Sequence, residues 1–275
     1  MPITARARSI FRRHRHSCAL LLLLASLCAS GGADALEVRI AFIGPADSDA
    51  WRGAAQGIAE ANAQGRFLGL HYTLEESAGP AVADEVSAIV TAVPAERLAP
   101  IMAANPARAV INVTAADDEL RADCAGNVLH TLPSYAMRED AVQQWRRKHP
   151  ESAAVAQAWH ADFEKYAAAQ LNKRYQDSTG RRMTDEAWAG WAATKVVADV
   201  IAREQRAEPD ALLDALHGDI AFDGQKGAEM SFRDTGQLRQ PLLLVEDGHI
   251  TGEAPVRGVV DTENLDSLGL SSCLK

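Results

Sequence analysis

The chain lacks the compact motifs that most directly reveal catalytic chemistry. Its 275 residues hold no His-Glu-x-x-His helix, no Gly-x-Ser-x-Gly elbow, no phosphate-cradling P-loop and no Cys-x-x-Cys pair. Metalloprotease, serine-hydrolase, nucleotide-phosphate and dithiol chemistry therefore have no signature here. The loop after the first apolar strand is not Gly-x-Gly-x-x-Gly, which removes the common dinucleotide fingerprint. Six histidines lie beyond residue 35, namely His71, His130, His149, His160, His217 and His249, and they are scattered without metal-ligand spacing. The sequence thus predicts no enzyme, no metal and no required cofactor.

Long apolar runs are also scarce. One stands out, Cys18 to Cys28 with five consecutive leucines, and it is shorter than the roughly 20 residues that span a bilayer. Arg6, Arg8, Arg12, Arg13 and Arg15 precede it without an acidic residue, and Ala33-Asp34-Ala35 follows with small residues at −3 and −1. That order predicts a secretory signal peptide over residues 1–35, cleaved after Ala35, and no stable membrane insertion afterwards. A retained anchor is the alternative; a lipid anchor through Cys28 is disfavoured by the bulky Leu27 before it.

Cleavage would remove those five arginines and Asp34 from 28 basic and 37 acidic residues, leaving 23 and 36, a net charge of −13. No basic stripe with interleaved aromatics remains, so nucleic-acid binding is excluded. An anionic ligand would need locally gathered cations. Of four cysteines, Cys18 and Cys28 would leave with the signal. Cys124 and Cys273 would remain in an oxidising setting, where they permit one disulfide that ties the C-terminal tail to the middle of the chain. Two buried free thiols are the alternative.

What is present is an alternating pattern. Residues 38–44 read as an apolar strand, 51–65 as an alanine-rich helix and 70–74 as a strand. A helix near 82–86, a strand at 88–93, a helix at 95–104 and a strand at 109–113 follow. Short strands that are apolar on both faces and alternate with helices indicate a doubly wound, parallel-sheet, Rossmann-like lobe over residues 36–133. Residues 135–206 change to helix with little strand signal. Strands at 227–233 and 240–245 and a tight turn at 246–249 then form a small C-terminal β unit. The fold class is therefore α/β, with a reduced, mostly helical second part over residues 134–245 and a tail, 246–275, returning to lobe one.

In such a lobe a ligand lies at the carboxyl ends of the strands. This nominates the loop from Pro45 to Trp51, Val93-Pro94 and the stretch at Thr114; a capping role before Asp117 is the alternative for Thr114. On the helix from Thr184 to Arg203, Ala189, Ala193, Val196, Val197 and Val200 keep the 3.6-residue period of a buried face. Trp188, Trp191 and Lys195 fall on a separate stripe. Two indoles and an ammonium suit a flat, negatively charged ligand, unless both indoles pack against a helix carrying Trp159 and Phe163. Arg182 and Arg239 supply forks that could grip carboxylates.

Two stretches resemble the type I, leucine-binding-protein-like periplasmic solute-binding proteins of ABC transporters. Residues 127–134 (Asn-Val-Leu-His-Thr-Leu-Pro-Ser) are similar to that family's crossing into its second lobe, and Phe222 to Gly227 with Ser231-Phe232 to its C-terminal segment. Within the family the nearest resemblance is to the subgroup associated with pyrroloquinoline quinone-dependent alcohol dehydrogenase systems. It is carried by residues 112–121 and 180–184, by Trp188 and Trp191, and by residues 230–233, 236–242 and 265–269. The resemblance implies a periplasmic protein without catalytic activity that binds pyrroloquinoline quinone or a related small anionic solute and delivers it to an ABC permease. It also implies two rivals: an accessory protein docking on a periplasmic quinoprotein dehydrogenase, and a binding protein for an amino acid or amide. The chain departs from the family by passing almost directly from the helix near Ala141 to Trp159, which shortens the second lobe.

Overall fold

A computed structural model describes residues 35–273, so the expected signal peptide lies outside the described residues up to its last position. Five strands, β1 (Leu36–Ile43), β2 (Leu70–Glu76), β3 (Val86–Thr91), β4 (Ala109–Asn112) and β5 (Val128–His130), form a parallel sheet in the order β2-β1-β3-β4-β5. Every residue of β3 and β4 is buried, which is why these strands read as continuous apolar runs rather than alternating ones. The connecting helices are α1 (Asp49–Gly65), α2 (Leu98–Ala104) and the single turn α3 (Glu119–Ala122). Ile89, Val110 and Val128 pack with Leu98 and Ile101 of α2 on one face. Val38, Ile40, Val90 and Ile111 pack with α1 on the other.

The remainder comprises α4 (Tyr135–Arg146), β6 (Val155–Gln157), α5 (Ala168–Thr179), α6 (Asp185–Glu204), α7 (Pro209–Leu216), β7 (Leu242–Glu246) and β8 (His249–Ala254). The last two strands and β6 make an antiparallel sheet, β6-β7-β8. Its Leu242 and Leu244 pack on Met137 and Ala141 of α4.

Helix α6 does not stand away from the parallel sheet. It crosses α1 at backbone contact, because small residues meet there. A Cβ on Gly53 would lie 1.8 Å from the Ala187 carbonyl oxygen, one on Gly57 2.1 Å from Thr194 Oγ1, and one on Gly190 2.1 Å from the Ala50 carbonyl oxygen. Thr194 Oγ1 donates to the Ala54 carbonyl at 3.2 Å. Both helices are capped by hydroxyls: Ser48 Oγ accepts from the Trp51 N–H and Thr184 Oγ1 from the Ala187 N–H. Thr184 Oγ1 also donates to Asp49 Oδ2 at 3.1 Å, tying the two N-termini together.

Local readings are corrected in two places. Residues 82–86 form no helix, because Arg108 takes the Ala83, Asp84 and Val86 carbonyls with its guanidinium and holds the segment as a loop. Residues 227–233 form no strand. Gly224, Gln225 and Gly227 have positive φ, so the chain turns there and pairs only through isolated bridges, Phe222 with Met230 and Phe232 with Leu238. The short strands β5 and β6, three residues each, carried no sequence signal.

Cys124 and Cys273 are joined, with Cα atoms 6.0 Å apart. The tail is further held by Arg233, whose guanidinium donates to Asp266 and to the Leu265 and Leu270 carbonyls. Among the described residues no helix is long and apolar enough to cross a membrane.

Candidate functional site

The carboxyl ends of β1, β3 and β4 open into a cleft of about 430 Å³. Pro45 and Ser48 enter from the β1–α1 loop, Val93, Pro94 and Glu96 from the segment after β3, and Thr114 to Asp117 from the segment after β4. Tyr135 from the start of α4 and Glu186 from the first turn of α6 complete the wall. Tyr135 is 61% exposed, a large aromatic ring turned to solvent at the rim.

The wall after β4 is built from beneath. Asn112 Oδ1 accepts from the Thr114 and Ala115 N–H groups at 3.2 and 2.9 Å, and its Nδ2 donates to the Ala115 carbonyl at 2.7 Å. This side-chain clasp fixes the turn that presents Thr114. The Thr114 hydroxyl donates to the Val93 carbonyl at 3.3 Å, joining the two loops. Arg121, 1% exposed, lies behind the wall. Its guanidinium donates to the Ala115, Asp117 and Leu132 carbonyls and to Gln237 Oε1, at 2.9 to 3.0 Å. Burial pulls its pKa down to about 10, and the nearby Asp118 and Asp117 carboxylates oppose that fall, so it stays charged at neutral pH. His130, entirely buried beside Asn112, is held well below the ordinary histidine range, first by burial and then by the charge of Arg121.

Of the residues nominated from sequence, Thr114 and the Pro45 and Val93-Pro94 loops are brought together. The Trp188–Trp191–Lys195 stripe is not open, which corrects the expectation of an exposed ligand face. Trp188 stacks on Trp159 with ring centroids 6.0 Å apart and an interplanar angle of 11°. Its Nε1 donates to the Gly224 carbonyl, and the Lys226 ammonium sits 3.8 Å from its ring centroid. Trp191 Nε1 donates to Glu60 Oε2 and its ring lies against Phe222. Lys195 donates to Gln64 Oε1 at 3.1 Å and pairs with Asp199 at 3.2 Å. The physical reason is that the indoles are covered from two sides: Trp188 by Trp159, which lies in a loop and not in the helix that the packing alternative expected, and Trp191 by Phe222 and by Glu60 of α1.

Arg182 is exposed, pairs with Asp162 and lines a different cleft of about 720 Å³ beside Trp159 and His160. Arg239 is engaged with Asp266, Ser231 Oγ and the Phe232 carbonyl, and so braces the C-terminal segment. Trp51 packs edge-on against Phe42 with centroids 5.1 Å apart. Sequence reasoning missed Tyr135, Glu186 and Arg121. The hydroxyl caps Ser134 and Thr184 marked the helix starts that carry the first two, and nothing local marked the third.

A larger cleft, about 880 Å³, lies elsewhere, with Trp145, Tyr166, Lys148, Lys165 and Arg257 in its wall together with Glu229, Glu253 and Glu263. Lys165 is paired with Glu253 there.

No protein-family model and no curated protein matches the sequence. The fold has solved counterparts. The leucine-, isoleucine-, valine-, threonine- and alanine-binding protein of Brucella ovis, in a closed conformation, superposes with a TM-score of 0.66 at 13% identity, over 77% of this chain and 90% of its own. The branched-chain amino acid transporter substrate-binding protein LivJ of Streptococcus pneumoniae, in complex with isoleucine, gives 0.61 at 10% identity, over 80% and 98%. An ABC transporter solute-binding protein of Rhodopseudomonas palustris BisB5, in complex with 3,4-dihydroxybenzoic acid, gives 0.62 at 10% identity, over 79% and 94%. The chain therefore has the α/β fold of ABC-transporter periplasmic binding proteins.

Proposed function

We propose that the chain is an exported, non-catalytic solute-binding protein of an ABC-type uptake system, taking its solute in the cleft at the carboxyl ends of β1, β3 and β4. The carrying observation is the cleft itself, placed where parallel α/β sheets bind ligands and walled by Thr114, held through Asn112 and Arg121. Fold likeness to proteins solved with isoleucine and with 3,4-dihydroxybenzoic acid supports this reading. The test is thermal denaturation of the purified protein against a panel of amino acids, amines, aromatic acids and pyrroloquinoline quinone. A saturable rise in Tm for one solute class, lost in Tyr135→Ala and Thr114→Val, is the expected result. No saturable shift with any solute refutes the reading.

A second reading keeps pyrroloquinoline quinone as the ligand, in line with the subgroup resemblance. The indoles first chosen for it are buried, but the 880 Å³ cleft gathers Trp145 and Tyr166 with Lys148 and Arg257, residue types that suit a flat polyanion. Tryptophan fluorescence during quinone titration tests it. Quenching that saturates, and that weakens in Lys148→Glu, supports it; unsaturable quenching removes it.

A further inference from the structure

The cleft at the carboxyl ends of the parallel strands has a one-sided chemistry. Its charged side chains are Glu96, Asp117 and Glu186, and no lysine, arginine or histidine is among its lining residues. Its side-chain donors are neutral hydroxyls. The Thr114 hydroxyl is directed to the Val93 carbonyl, and the Ser48 oxygen accepts from the Trp51 N–H in capping α1, which leaves its O–H as a donor. Pro94, having no N–H, offers nothing at the point where the chain leaves β3. The Ser48 and Tyr135 hydroxyls are neutral donors in the wall, and no cation joins them.

Positive charges near the cleft are engaged elsewhere. Arg121 directs its donors at carbonyls and Gln237. Arg52 and Arg181 pair with Asp49, the acid in the first turn of α1 that answers that helix's N-terminal dipole. Asp185, next to Glu186, accepts from the Trp159 N–H and pairs with Arg138. Glu186 has no such partner among the described residues. It is crowded by Asp49 and Asp185, and partial desolvation followed by those two charges raises its pKa. A cation seated beside it would relieve that repulsion, whereas a carboxylate would add to it.

We infer that this cleft selects amines, solutes with a protonated nitrogen and no carboxylate, and that Glu186 is the residue that sets this selectivity. The inference rests on the reading of the cleft as the solute site and narrows it to a ligand class. It differs from amino-acid binding because the cleft sets three carboxylates beside an ammonium and no cation beside the carboxylate that an amino acid would bring.

Isothermal titration of the purified protein with four probes, butylamine, putrescine, leucine and butyrate, tests it. The amines bind with putrescine at least as tight as butylamine; leucine binds at least tenfold more weakly and butyrate not at all. Glu186→Gln weakens the amines by tenfold or more, and Glu186→Lys, at an exposed position, removes amine binding and admits butyrate. Circular dichroism confirms that both variants fold. If leucine or butyrate binds as tightly as the amines, the selectivity is overturned while the solute site stands. If amines bind but Glu186→Gln leaves their affinity unchanged, Glu186 is not the determinant and the inference fails. If no probe binds, the inference fails, and the wider solute panel decides separately whether the cleft is a site at all.

Discussion

Placing one methyl group at Gly53 tests the packing on which the cleft depends. The Cβ of Gly53→Ala would lie 1.8 Å from the Ala187 carbonyl oxygen and 2.6 Å from its carbon. Ordinary contact needs roughly 3.5 Å, and both partners are helix backbone, so no flexible side chain can move aside. The helices must separate. Overpacking a close contact costs about 1–3 kcal/mol and occasionally more; with backbone against backbone we take about 3–4 kcal/mol. Alanine's better helix propensity returns about 1 kcal/mol. The net loss is about 2–3 kcal/mol, which for a domain of this size lowers Tm by about 4–12 °C. Because α1 carries the Ser48 cap and α6 carries Glu186, separating them also widens the cleft, so solute affinity falls along with stability. Differential scanning calorimetry beside Gly126→Ala, where a Cβ meets nothing within 4 Å, isolates the effect, since the control changes stability by no more than about 0.5 kcal/mol. A Gly53→Ala protein that is more stable than wild type would refute the backbone contact.

Three further outcomes follow from the geometry. Cys273→Ser, or reduction of the bridge to Cys124, frees the tail and lowers stability by about 2–4 kcal/mol, read as a lower urea midpoint that added reductant does not shift further. Arg121→Met leaves the Ala115, Asp117 and Leu132 carbonyls and Gln237 without their donor; each buried acceptor left unsatisfied costs about 1–3 kcal/mol, and urea denaturation should show Arg121→Lys recovering only part of the loss. For Glu186 the folded pKa lies above the unfolded value of 4.5. The folded state therefore holds its proton more tightly, and its contribution to stability falls as pH rises from the unfolded pKa through the folded one. Glu186→Gln should raise Tm at pH 7 and by less at pH 4; an equal gain at both would show that the side chain's ionisation is irrelevant.

The parallel-sheet lobe was legible because its inner strands are buried on both faces, so Ile40 to Ile43, Val86 to Thr91 and Ala109 to Asn112 carry the apolar runs that the burial requires. Thr114 was legible because strand ends in such a sheet converge. The short strands at Val128 and Val155 were not, since three residues contain too little pattern to distinguish strand from loop. The indoles of α6 read as a stripe apart from its aliphatic face, whereas both faces enter one core. A period of 3.6 shows that a helix has two characters, but not how many neighbours cover them.

Composition and local pattern by themselves determined the acidic balance, the α/β class and the position of Thr114 at a strand end, and pointed to Cys124 and Cys273 as a pair. These are properties of short segments or of the whole chain, and the physics that sets them is local. Only the tertiary structure decided that Gly53, Gly57 and Gly190 let α6 rest on α1, that Trp188 is covered by Trp159 and Lys226, and that Glu186 and Tyr135 face Thr114 across one cleft. Each of those depends on residues far apart in sequence meeting at atomic contact, and steric fit between distant backbones is recorded in no single stretch of chain.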